Sequence, residues 1–265
     1  MIIPIALLTI TAAGCTKADS GATASGVTLV NAGKLTVCTH LPYPPFQAKK
    51  ADGSGYEGFD IALMDLVAKK LGVTQQIVDT PFEGIKSGQD LNTGKCDVAA
   101  AAMTITAERA NVLDFSQPYF DATQALLIRA GTPYQSADSI SGWTIGVQAG
   151  TTGADYMEHK YRSVAPAKYS TKAYRDVASL QQALATGQIN AAVNDLPVWT
   201  NFVRANPGKY TLAASYDTGE QYGYAVRKGV NPKLAQAIND AIAEARKDGS
   251  YDALYRQWIG EKPQS

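Results

Sequence analysis

From residue 33 onward, short apolar runs alternate with amphipathic stripes. Residues 35–39 form a β-rich run. Residues 58–72 read as a helix: Phe59, Leu63, Leu66, Val67 and Leu71 fall on one face, and Gly72 closes it. Residues 76–79 read as a strand, 82–94 hold a short helix, and 97–103 form an apolar strand. Strands alternating with helices at this spacing imply a parallel α/β sheet.

A second unit repeats the pattern. Residues 125–128, 144–147 and 191–194 read as strands, and 152–161 and 179–186 as helices. Residues 222–227 add a strand and 232–247 a long helix. Asn231 is placed to cap that helix, Pro232 takes its first position, and Arg246 and Lys247 suit the dipole at its end. Tyr251, Leu254, Tyr255, Trp258 and Ile259 form one more amphipathic stripe, a packing face.

The run 101–119 carries the densest chemistry. It opens as a buried strand, passes Thr104 and Thr106, and places Arg109 near a helix start. A guanidinium beside backbone N–H groups is a ready carboxylate clamp. Lys+Arg and Asp+Glu both number 24, so no basic footprint marks a nucleic-acid partner. Tyr outnumbers Phe and Trp together, 14 against 6 and 3. Tyrosines suit sites with one polar and one apolar side, or partly buried surfaces.

Residues 1–14 are apolar, too short to span a bilayer, and end in small residues before Cys15. Ala12-Ala13-Gly14-Cys15 resembles a bacterial lipobox, which implies Cys15 as a lipidated first residue; an ordinary signal peptide with an incidental Cys is the alternative. No Lys or Arg precedes the apolar stretch, and Ala12 stands where the motif prefers Leu. Residues 16–32 are largely small and polar, and are expected to be a flexible tether. Export permits a disulfide between Cys38 and Cys96. If their strands are parallel neighbours, the two are offset along the sheet, so the bridge stays open at this point.

Further segments line up around the clamp. Pro42, Pro44 and Pro45 stiffen a loop that presents Tyr43 and Phe46. Gly58-Phe59-Asp60, Pro81-Phe82-Glu83-Gly84, Gly94-Lys95-Cys96-Asp97, Gly150-Thr151-Thr152-Gly153 and Gln221-Tyr222-Gly223-Tyr224 follow in order. Together these motifs resemble the polar amino-acid solute-binding proteins of ABC importers (family 3), most like the glutamine-, glutamate- and aspartate-binding types, over about residues 33–260. The resemblance implies a type II periplasmic-binding-protein fold: two α/β lobes, each a mostly parallel sheet flanked by helices. It places lobe 1 at 33–118 and 223–260, hinge strands at 119–123 and 219–222, and lobe 2 at 124–218.

The resemblance also implies roles. Arg109 and Thr104 would hold the ligand α-carboxylate, and Ala102, with Met103 beside it, would offer main chain to the α-ammonium. Asp195 would take the ammonium from the far lobe. Thr151 and Thr152 would reach the carboxylate from the second lobe, and Tyr43 and Phe82 would sandwich the ligand. His40, Gln148 and Asn194 would choose the side chain. They favour Gln, Glu, Asp or Asn over cationic ligands, which usually need a further carboxylate. Local alternatives remain: Arg109 paired with Glu108 or Asp114, Asp195 as a helix cap, Thr104 and Thr152 as caps, Tyr43 and Phe82 as core, His40 as wall.

The leading expectation is a monomeric, lipid-anchored importer subunit working with a permease and an ATPase, without cofactor, metal or catalysis. No GxxxxGK[ST] run occurs. The alternatives are a dehydratase-like enzyme on the same fold, with Glu83, Glu220 or His40 as acid or base, and an amino-acid sensor.

Overall fold

The computed structural model describes residues 21–23, 26–164 and 168–261. The lipobox and Cys15 lie outside them. The α/β architecture is built on two five-stranded sheets. The first runs in the order Thr74–Asp79, Lys34–Thr39, Val98–Ala99, Ala225–Arg227, Leu113–Phe115. The second runs Tyr210–Tyr222, Phe120–Arg129, Ala191–Asp195, Thr144–Gln148, Ser170–Tyr174. Both sheets are mixed: in each, two neighbouring pairs run parallel and two antiparallel. The antiparallel pairs come from strands that carry the chain between sheets and back. Phe120–Arg129 and Tyr210–Tyr222 lie side by side, with Glu220 opposite Ala122 and Tyr222 opposite Phe120.

The elements form where periodicity places them, with informative differences. Helix Phe59–Leu71 buries Phe59, Leu63, Met64, Val67 and Leu71, and Gly72 ends it in the left-handed region. Gly58 before it has φ 127°, and a Cβ there would stand 2.2 Å from the Phe46 carbonyl oxygen, so only glycine fits. The strand expected at 97–103 is in the ladder only at Val98–Ala99. The chain then bends, because Ala102 takes φ 46° and its N–H donates to Asp60 Oδ2 at 2.8 Å. The helix expected at 152–161 is interrupted: Thr152–Asp155 and Tyr161–Val164 are α-helical, with a π-turn at Tyr156–Lys160 between them. The strand expected at 222–227 is two strands, because the chain changes sheets at Gly223, where a Cβ would meet Ile105 Cδ1 at 2.8 Å.

Residues 26–32 depart from the tether reading. Val27 and Leu29 are 1% exposed and join the first core, and Asp97 accepts from the Val30 N–H at 2.6 Å. Two apolar side chains with a core slot outweigh the polar character of the stretch. Cys38 and Cys96 are bridged, with Cα atoms 5.7 Å apart. Register pairs Cys38 with Ala99, so Cys96 stands outside the ladder. The turn at Gly94 returns it toward Cys38. Closing a loop of 58 residues stabilises the fold by roughly 4 kcal/mol in the chain-entropy picture.

Beneath the crossing strands sits an aromatic cluster. Phe46 lies 5.1 Å from Phe120 and 5.4 Å from Tyr222, and Tyr119 stacks on Tyr224 at 4.1 Å. The tyrosines here are buried, with hydroxyls turned toward two carboxylates.

Candidate functional site

A cavity lies between the two sheets, where strand ends and loops of both converge. His40, Tyr43, Gln47, Phe82, Ala101, Ala102, Thr104 and Arg109 line it from one side, and Gln148, Thr151, Thr152 and Asp195 from the other. Its volume is about 20 Å³, room for roughly one water.

Arg109 is the third residue of the short helix Ala107–Ala110, capped by Thr106, whose hydroxyl accepts from the Arg109 N–H. Arg109 is 7% exposed. Nη1 donates to the Thr104 carbonyl at 2.7 Å and Nη2 to the Gly150 carbonyl, across the cleft, at 3.2 Å. The Phe82 ring lies under it, 5.4 Å from centroid to Cζ. Burial lowers its pKa, and Glu220, Asp155, Asp195 and Glu108 oppose that shift, so the guanidinium stays charged. Among the described residues it forms no ion pair. Asp114 pairs with Lys228 at 3.0 Å instead, and Glu108 is not within ion-pair distance. The local-pairing alternative for Arg109 is therefore not realised.

Asp195 ends the strand Ala191–Asp195 and stands at the N-terminus of helix Leu196–Ala205 without capping it. Its carboxylate turns into the cleft. Tyr222 Oη donates to Oδ2, and Gln124 Nε2 donates to Oδ1 at 2.6 Å. Tyr43 Oη lies 2.6 Å from both Asp195 Oδ2 and Asn194 Oδ1, one proton divided between two acceptors. Burial pushes the Asp195 pKa up to about 6, with Glu220 adding to the rise and the Tyr222, Tyr43 and Gln124 bonds opposing it. No Lys or Arg pairs with it among the described residues. The site thus holds one buried cation and one buried anion, each lacking a counter-ion.

The remaining expected residues divide. His40, Tyr43, Phe82, Ala102, Thr104, Gln148, Thr151 and Thr152 line the cavity. Thr151 also caps the helix that Thr152 begins, accepting from the Ala154 N–H. Met103 is 1% exposed and packs in the core around Cys38 and Cys96, away from the cavity. Asn194 sits behind Tyr43, where its Oδ1 also accepts from the Asp195 N–H at 2.9 Å. Asn194 turns from the cavity because adjacent strand positions point to opposite faces, and Met103 because the chain has left the ladder and bent at Ala102. Glu83 pairs with Lys86 on the surface, and Glu220 stands behind the two threonines. Neither lines the cavity, so neither is placed as an acid or base.

Sequence reasoning missed Gln47, Ala101, Gln124 and the role of Glu220. Gln47 follows the Pro44-Pro45-Phe46 loop, and Gln124 is the one fully buried polar residue of the strand Phe120–Arg129. Buried partnerless acceptors line the cavity. His40 Nδ1 lies 3.0 Å from the Thr80 carbonyl, which requires an N–H there and leaves the lone pair of the neutral ring on Nε2. Among the described residues, His40 Nε2, Gln47 Oε1 and Gln148 Oε1 have no hydrogen-bond partner. Among the described residues no group of three or more His, Cys, Asp or Glu could hold a metal ion, and no helix is long and apolar enough to cross a membrane.

Comparison with known proteins agrees with this geometry. A probable histidine-binding protein of Neisseria gonorrhoeae is 30% identical over 260 residues, covering 96% of this chain and 92% of the relative. The ABC transporter glutamine-binding protein GlnH of Bacillus subtilis is 32% identical over 222 residues, covering 82% and 78%. Structures of an ancestral arginine-binding protein, one bound to arginine and one to glutamine, superpose with a TM-score of 0.78 at 38% identity, covering 86% of this chain and 99% of theirs. The family model for bacterial extracellular solute-binding proteins, family 3, matches residues 35–261. With two sheets flanking a cavity of opposed charges, the chain belongs to the bacterial extracellular solute-binding proteins, family 3.

Proposed function

We propose that this protein is the extracytoplasmic binding subunit of an ABC importer and that it captures a polar α-amino acid by closing its two lobes. The observation that carries this reading is the pair Arg109 and Asp195: opposite charges, both buried, lining one cavity, neither with a counter-ion. A zwitterion supplies both missing partners. Arg109 and the main-chain N–H of Thr104 take the α-carboxylate, Asp195 the α-ammonium, and Tyr43 and Phe82 flank the ligand. Charge-assisted bonds contribute roughly 1.5–3 kcal/mol each, so ligand ties the lobes together. Lobe 1 comprises 33–118 and 223–260, lobe 2 comprises 124–218, and 119–123 with 219–222 form the hinge. The protein works as a monomer, without turnover, beside a permease and an ATPase, and Cys15 carries a lipid anchor.

The side-chain end favours a neutral amide. His40 Nε2, Gln47 Oε1 and Gln148 Oε1 are acceptors awaiting donors. An amide N–H meets them, whereas a carboxylate adds acceptor to acceptor, and no carboxylate other than Asp195 lines the cavity to hold a cation. Glutamine and asparagine therefore lead, ahead of glutamate and aspartate. Calorimetry against the twenty amino acids tests this: glutamine or asparagine is expected to bind tightest. Tightest binding of arginine would overturn the side-chain assignment alone. Absence of binding to every amino acid would overturn the whole reading.

A further inference from the structure

Glu220 lies near the end of the crossing strand Tyr210–Tyr222, just after a register shift between Tyr216 and Glu220. The bulge re-aims the side chains that follow it. Glu220 Oε2 accepts from Thr104 Oγ1 at 2.8 Å, from Thr152 Oγ1 at 2.7 Å and from Gln124 Nε2 at 3.3 Å. Thr104 follows the first-sheet strand Val98–Ala99, and Thr152 opens a helix of the second lobe. Their hydroxyl oxygens are 3.3 Å apart. Glu220 itself does not line the cavity, and no Lys or Arg pairs with it among the described residues. A half-buried carboxylate stays where donors satisfy it. Two of its three donors come from opposite lobes, so parting the lobes removes one.

We propose that Glu220 is a positioning residue: from behind the cavity wall it holds Thr104 and Thr152 in the arrangement that ligand meets, and so favours the closed form. The same carboxylate reaches Asp195 through Gln124, whose Nε2 donates to both acids. Gly153 makes room for this link, since a Cβ there would stand 2.5 Å from Gln124 Oε1. The amide thus sets the spacing between the clasp and the residue assigned to the ammonium.

The test uses the whole protein and two variants, Glu220→Ala and Glu220→Gln. Small-angle scattering without ligand is expected to show a larger radius of gyration for Glu220→Ala, with melting still cooperative. Stopped-flow with glutamine as probe is expected to show dissociation at least about tenfold faster. Glu220→Gln keeps a carbonyl acceptor and is expected to stay within about threefold of wild type. An unchanged radius in Glu220→Ala would overturn the proposal, and so would Glu220→Gln being as impaired as Glu220→Ala. The rate measurement rests on the amino-acid reading above. The scattering measurement does not, so the two can fail separately.

Discussion

Asp60 and Asp195 are the same chemical group in nearly the same setting, yet they do different work. Both are buried, and each receives two tyrosine hydroxyls: Tyr119 and Tyr224 for Asp60, Tyr43 and Tyr222 for Asp195. Burial raises both, Asp60 to about 7 and Asp195 to about 6. The difference is what lies beyond the tyrosines. Asp60 spends its other oxygen on the Ala102 N–H at 2.8 Å, inside the protein. Asp195 faces the cavity. A buried acid whose acceptors are all met by its own fold is a strut. One that opens on a cavity opposite a partnerless arginine is placed for a ligand, the role proposed above for Asp195. Ala102 shows what the strut supports: a non-glycine residue at φ 46° costs roughly 1–3 kcal/mol and persists because its surroundings hold it.

The comparison breaks most sharply by substitution. Asp195→Asn and Arg109→Ala are each expected to weaken amino-acid binding at least about 100-fold, because each leaves a buried ligand charge unpaired. Asp60→Asn is expected to change affinity less than about threefold. Calorimetry decides, with circular dichroism to confirm folding. If Asp60→Asn abolishes binding and Asp195→Asn does not, the two roles are exchanged.

Acidity separates the pair next. The folded protein binds the Asp60 proton more tightly than the unfolded chain does. Stability is therefore expected to fall as pH rises from about 4 to about 7, by up to roughly 4 kcal/mol, and to level off above. Denaturant melts of Asp60→Asn should flatten that slope. Asp195 adds to the decline only up to about pH 6. Because the ligand ammonium favours its charged form, binding should release a proton near pH 6, and affinity should drop about tenfold per unit below it. The same titration in Asp60→Asn should give an unchanged affinity profile.

Smaller changes sharpen the boundary between the two regions. Gly153→Ala drives a Cβ toward Gln124, the amide that steadies Asp195, and is expected to weaken binding about tenfold. Melting should shift by only a few degrees, because the Asp60 region is untouched. His40→Leu is expected to cost a factor of about three to ten in the preference for glutamine over glutamate, the range of one neutral hydrogen bond.

Much of this was legible from sequence. Helical stripes such as Phe59–Leu71 and apolar strands such as Ala191–Asp195 declare themselves, because one buried face imposes a period. Arg109, Thr104 and Tyr43, picked out by ordered motifs and a family resemblance, line the cavity. Of the strand Tyr210–Tyr222 only the hinge residues 219–222 were read, because the exposed and half-buried positions before them include polar residues and form no apolar run. Asn194 stands one strand position from Asp195, which is enough to reverse its face, and Met103 follows the bend at Ala102, which no strand pattern shows. The role of Glu220 had no local signal: Thr104 lies 116 positions away and Thr152 68, so only the fold brings the three together. The disulfide likewise depended on the turn at Gly94, which no register argument supplies.

The volume of the cavity, about 20 Å³, sets a clock as well as a shape. No amino acid passes into a space for one water, so capture waits on an opening event. The observed association rate should rise with ligand concentration and then reach a plateau at the opening rate. Under the proposed closure, release obeys the same gate, and bound solute leaves no faster than the lobes part. Dwell time on the way to the permease is then governed by the contacts that join the two lobes, including those that never touch the cargo.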